Sequence, residues 1–100
     1  MIKKRFDSYK IIDGAESYKK IQSKEKGIIF FHGYSGSPSE MLLLAKKFEE
    51  KGISVYCPRI TGHGTCFEDF MDTRLNDWLR SSIDAYLEFS KRVEKVYLVG

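Results

Sequence analysis

Gly27-Ile-Ile-Phe-Phe31, continuing through His32-Gly-Tyr-Ser-Gly36 into Ser37-Pro38-Ser39-Glu40, is the stretch from which the fold can be read. Its first five residues form a continuous apolar run, the pattern of a strand buried on both faces of a parallel sheet. The next five are a loop with two glycines. The last four are a helix start. Ser37 stands as N-cap, Pro38 suits the first helical position, where an N–H would have no partner anyway, and Glu40 is placed to close a capping box. A buried strand that turns through glycine into a capped helix opens a βαβ unit.

The unit is completed downstream. Met41, Leu44, Ala45 and Phe48 recur at helical spacing, Leu42 and Leu43 widen the stripe, and Lys51-Gly52 supplies a C-terminal charge and a stop. Ile53 to Cys57 reads as the second strand, ended by Pro58. The loop Arg59 to Gly64 and an acidic-aromatic stretch, Phe67 to Asp72, lead to a second helix. There Leu75, Trp78, Leu79, Ile83, Tyr86, Phe89 and Val93 mark one face. Lys95 to Val99 is the third apolar strand, followed by Gly100. Upstream, Phe6 to Ile12, the turn signal Asp13-Gly14 and Tyr18 to Gln22 suggest a β-hairpin lead-in. The expectation is one α/β domain over residues 1–100, with a hairpin lead-in and then β-α-β-α-β on a parallel sheet with helices on its faces.

Composition narrows the function. The net charge of +3 arises in residues 1–30, where eight Lys/Arg face four Asp/Glu, while residues 31–100 carry nine against ten. The short run Lys3, Lys4, Arg5 has no interleaved stacking aromatics, so a solvated lead-in is expected and no nucleic-acid partner. That run leads into polar residues instead of an apolar leader segment, and no stretch approaches 18 apolar residues, so a cytoplasmic protein without a membrane span is expected. Cys57 and Cys66 then read as reduced thiols. With His63 they form Cys-x5-His-x2-Cys, which fits no standard zinc spacing, so neither metal nor cofactor is expected.

In open α/β sheets chemistry gathers at the carboxyl ends of the strands, which here means His32 to Ser37, Pro58 to Thr65 and whatever follows Gly100. Taken alone, His32 to Gly36 also reads as a plain βα connection, or as an anion cradle at a helix start, although Gly-Lys-Ser/Thr and Gly-x-Gly-x-x-Gly are both missing. Ser35 and Ser37 lie outside any Gly-x-Ser-x-Gly elbow and are poor nucleophile candidates.

The order of these pieces is more specific than any one of them. A buried strand ending in His-Gly-aromatic-x-Gly, a capped helix, a strand closed by proline, Gly62-His63-Gly64, a Trp-bearing amphipathic helix and a strand ending in glycine resemble the opening of an α/β-hydrolase. Within that superfamily the chain looks most like small bacterial carboxylesterases and monoacylglycerol lipases, over residues 27–100. The resemblance implies that the Tyr34 main-chain N–H is an oxyanion-hole donor and that His32, Gly33, Gly36 and His63 support the two loops, Gly33 by letting substrate approach and Gly36 by permitting the turn. It also implies that Gly100 matches the first glycine of the nucleophile elbow, so serine, acid and base would lie beyond it. The expected function is therefore an amino-terminal fragment of a serine carboxylic-ester hydrolase, truncated, split or cut from a longer protein. Such a fragment would act on a small-molecule ester only with a complementary carboxy-terminal half. A non-catalytic acyl- or ester-binding module, or part of a thioesterase or peptidase of the same fold, are the other readings.

Overall fold

The computed structural model describes residues 9–100. Four strands form one sheet: β1 (Tyr18–Lys20), β2 (Lys26–Phe30), β3 (Ser54–Cys57) and β4 (Lys95–Val99), in the order β1-β3-β2-β4. β2 lies parallel to both β3 and β4, pairing Ile28 with Val55 on one side and with Tyr97 on the other. β1 runs antiparallel to β3, with Tyr18 opposite Cys57. Among the described residues three helices complete the fold: α1 (Ser39–Glu49), the short α2 (Phe67–Met71) and α3 (Leu75–Ser90).

Alternation along β2 divides the core. Ile28 and Phe30 face one side, where they join Val55, Cys57 and Ala45 of α1, with Met41 and Phe48 packed against them. Ile29 faces the other side with Tyr56, Ala85, Phe89 and Val93, against which Phe31 and Val96 pack. Successive strand side chains point to opposite faces, so a β2 that is apolar from Gly27 to Phe30 must be covered twice. α1 and α3 therefore lie on opposite faces. Right-handed crossovers require this when β3 flanks β2 on one side and β4 on the other.

The lead-in is organised differently from the expected hairpin. Residues 6–8 lie outside the described residues, and Tyr9 to Ile12 is not a strand. β1 takes its hydrogen bonds from β3, whose outer edge would otherwise be bare. Ile12 N–H instead donates to the Gly64 carbonyl at 2.8 Å. The fully buried Ser54 ties the next turn down, since its hydroxyl accepts from Gln22 N–H and Ser23 N–H and donates to Ser23 O.

Two helical details also differ. α1 begins at Ser39, with no side-chain cap on its first turn; Ser37 Oγ pairs with Ser39 Oγ at 2.7 Å, and the Glu40 carboxylate accepts from Gly33 N–H instead of closing a capping box. On α3 the inward seam runs through Trp78, Ser82, Ala85 and Phe89, whereas Leu75, Leu79, Ile83 and Tyr86 are exposed. The two stripes lie about a quarter turn apart around the helix. Periodicity marked their sum, and only the sheet's position selects which one it covers. No helix among the described residues is long and apolar enough to cross a membrane.

Candidate active site

The chain runs from β2 to β3 on one side and then returns across β2 to place β4 on the other. The order in which strands are added to the sheet thus reverses between β2 and β4 while both run parallel, and the crevice outside their carboxyl ends is where open α/β sheets place ligands. Loop 31–37 leaves β2 there. Gly100 follows β4 at the same end, close to Phe31.

His32 anchors this loop. Its side chain is buried, its Nε2 accepts from Ile60 N–H at 3.0 Å, and its Nδ1 lies 3.0 Å from the Gly33 carbonyl. An N–H can only donate and a carbonyl can only accept, so the imidazole is neutral with its proton on Nδ1. Burial pushes its pKa below the ordinary 6.5; the hydrogen bond to Gly33 and the Glu40 charge oppose this, while His63 and Arg59 add to it. Both ring nitrogens are thus engaged by backbone, one in each of the two loops.

Beyond His32 the chain makes a tight turn, in which Gly36 N–H donates to the Gly33 carbonyl at 2.9 Å. The residue in the left-handed region is Ser35, at φ +60, and not Gly36. Gly36 is needed for a different reason: a Cβ there would sit 2.5 Å from a Glu40 carboxylate oxygen. Tyr34 occupies the second position of the turn. Among the described residues none accepts a hydrogen bond from its main-chain N–H, and the ring is largely exposed.

Gly62-His63-Gly64 forms the facing loop. Gly62 (φ +80) and Gly64 (φ +72) adopt backbone conformations that side chains resist, and a Cβ on Gly62 would sit 2.5 Å from the Thr73 side chain. His63 is buried; its Nδ1–H donates to Thr61 O, and its own carbonyl accepts from the Arg59 guanidinium at 2.8 Å. The His32 and His63 rings lie 5.0 Å apart, so the two loops meet through their histidines.

Three participants were not marked as site residues by the sequence. Phe70 of α2 and Trp78 of α3 stack with their rings 15° from parallel, and Tyr34 lies roughly perpendicular to both at 5.1 and 5.3 Å. His63 approaches the same pair, at 5.1 Å from Phe70 and 5.6 Å from Trp78. Below them the buried Thr73 hydroxyl accepts from the Trp78 indole N–H at 2.8 Å and donates to the Phe70 carbonyl at 2.7 Å. In a one-dimensional pattern Trp78 looks like one core position of an amphipathic helix and Phe70 like part of the acidic-aromatic connection before it.

Two hollows flank the loop. The larger, about 550 Å³, touches Ser35, Gly36, Glu40, Gly64, Cys66 and Phe70. The smaller, about 220 Å³, is lined by His32, Gly33, Tyr34, His63, Trp78 and Leu79. Only the smaller one includes Gly33 and Tyr34, so it is the hollow at the end of β2 despite its size. Cys57 lies in the α1 core, where burial pushes its thiol up to about 11 and keeps it protonated. Among the described residues no cluster of three His, Cys, Asp or Glu could hold a metal.

No family model matches the chain. It is similar to the thermostable monoacylglycerol lipase of Bacillus sp. (strain H-257), with 31% identity over 94 residues, covering 94% of this chain and 37% of the relative. It is similar also to the carboxylesterase of Bacillus subtilis (strain 168), with 27% identity over 62 residues, covering 62% of this chain and 25% of that enzyme. A solved structure from work on LipS and LipT, two metagenome-derived lipolytic enzymes, superimposes with a TM-score of 0.85 at 30% identity, covering 89% of this chain and 36% of that one. The chain thus spans well under half the length of each of these three proteins.

Proposed function

We propose, from the premise that this chain is the amino-terminal part of an α/β-hydrolase akin to bacterial monoacylglycerol lipases and carboxylesterases, that it supplies the oxyanion loop of a serine ester hydrolase. The observation that carries this reading is the Tyr34 main-chain N–H, without an acceptor among the described residues and held beside the crevice between β2 and β4 by a loop whose histidine is spent on the backbone. When a nucleophile attacks an ester carbonyl, the oxygen becomes an anion. A donor already fixed at that position stabilises the charge without reorganising.

Nucleophile, base and acid come, on this reading, from residues outside these 100. Ser35 and Ser37 sit in the turn and at the helix entry, and His32 has no free nitrogen with which to take a proton. Acyl transfer then needs a serine near the same crevice, a histidine to accept its proton and a carboxylate to orient that histidine. The substrate is a small-molecule ester, as the names of the relatives suggest.

Hydrolysis of p-nitrophenyl butyrate by the complete enzyme containing this segment tests the role of Tyr34. Tyr34→Pro removes the N–H, and proline is accepted at the second position of such a turn, so kcat is expected to fall about 10²- to 10³-fold. Tyr34→Phe keeps donor and ring and retains most of the turnover. Equal rates in Tyr34→Pro and wild type would reject the assignment.

A further inference from the structure

We propose that Thr73, Trp78 and Phe70 form a positioning unit for the Tyr34 main-chain N–H, setting its direction before an ester arrives. The proposal rests on Tyr34 being the oxyanion donor and goes beyond it, because none of the three residues need touch substrate.

A backbone N–H can serve as a preorganised donor only if its peptide plane cannot rotate. The turn restrains that plane through its carbonyl alone. Gly33 O, which shares its peptide unit with the Tyr34 N–H, accepts from His32 Nδ1–H and Gly36 N–H, but on the other side of Tyr34 the turn holds Ser35 in the left-handed region, where a side chain is disfavoured. His32 secures the loop before the turn and α1 takes over after it, which leaves Tyr34 between them. What restrains Tyr34 on that other side is its ring. That ring is mostly exposed yet contacts both members of the Phe70–Trp78 stack.

The stack is in turn locked by one hydroxyl. Thr73 Oγ1 accepts from the Trp78 indole and donates to the Phe70 carbonyl, so a single buried atom fixes the end of α2 against the first turn of α3. Gly62 lies against the same Thr73 side chain, and His63 packs its ring on the stack from another direction. Both loops at the strand ends therefore bear on one three-residue unit. Such contacts add modestly to stability, but they also restrict orientation.

Substitutions at Thr73 and Trp78 separate positioning from bulk stability. Thr73→Val is nearly isosteric and deletes both hydrogen bonds, whereas Thr73→Ser retains both; Trp78→Phe keeps an aromatic ring and removes only the indole donor. In the complete enzyme the Tyr34 amide is followed by 15N relaxation and hydrogen exchange, and p-nitrophenyl butyrate turnover is measured in parallel. Thr73→Val and Trp78→Phe are expected to mobilise the Tyr34 amide and lower kcat about tenfold or more, with KM within about twofold, while Thr73→Ser matches wild type. If Thr73→Val fails to fold, Trp78→Phe carries the test. A Tyr34 amide as ordered in both variants as in wild type overturns the positioning unit, whatever the turnover. A mobilised amide with unchanged kcat overturns instead the assignment of Tyr34 as donor.

Discussion

His32 illustrates how burial decides what a residue can do. A histidine at a strand end beside a reactive loop could serve as a general base, but this one accepts from Ile60 N–H and donates to Gly33 O, and burial keeps it neutral. Its folded-state pKa lies below the unfolded-state value of about 6.5, so between the two the unfolded chain binds more protons. Its contribution to stability is therefore fully present above about 6.5 and is lost as the pH falls through the depressed folded value. Protonation of Nε2 also removes the acceptor for Ile60 N–H. Protection of the Ile60 amide against hydrogen exchange should fall across that window in the wild type and stay flat in His32→Gln, which has no titrating ring. A wild-type protection factor independent of pH through mild acid would refute this.

At the scale of elements, the contact between β2 and α3 depends on a missing side chain. A Cβ on Gly27 would lie 2.6 and 2.7 Å from ring carbons of Phe89 and 3.0 Å from Val93. Phe89 is fully buried among Ile29, Tyr56 and Ala85, so the ring has nowhere to retreat. Gly27→Ala should cost about 1–3 kcal/mol through overpacking, read as a lower urea midpoint. Phe89→Leu in the same chain should recover part of that loss, and strictly additive effects of the two changes would exclude direct contact as the cause. The strand was legible as an apolar run, but this demand on Gly27 was not. It arises from where α3 crosses the sheet, which no local pattern encodes.

For the molecule as a whole, apolar surface is distributed unevenly. β4 forms one edge of the sheet, Tyr97 and Leu98 on it are 52% and 58% exposed, and the outer stripe of α3 adds Leu79 and Ile83 at 50% and 53%. An open strand edge beside apolar surface is a template for pairing with other chains. The polypeptide of residues 1–100, expressed by itself, should therefore self-associate and bind a hydrophobic dye, and Leu98→Lys should reduce both. Light scattering that finds a monodisperse monomer with no dye binding would contradict this expectation.

The sequence by itself determined the β-α-β-α-β succession from Gly27 onward, apart from the short α2, the parallel pairing around Gly27 to Phe31 and the two loops that carry His32 and His63. These follow from apolar periodicity, glycine and proline, which act within a few residues. It could not determine that Ser35 takes the strained turn position while Gly36 makes room for Glu40, that β1 pairs with β3, or that α3 buries its Trp78–Phe89 seam. Nor could it gather Tyr34, Phe70, Thr73 and Trp78 around one hydroxyl. Those outcomes depend on which surfaces meet once the helices settle on the sheet. Contacts between residues far apart in sequence exist only in three dimensions.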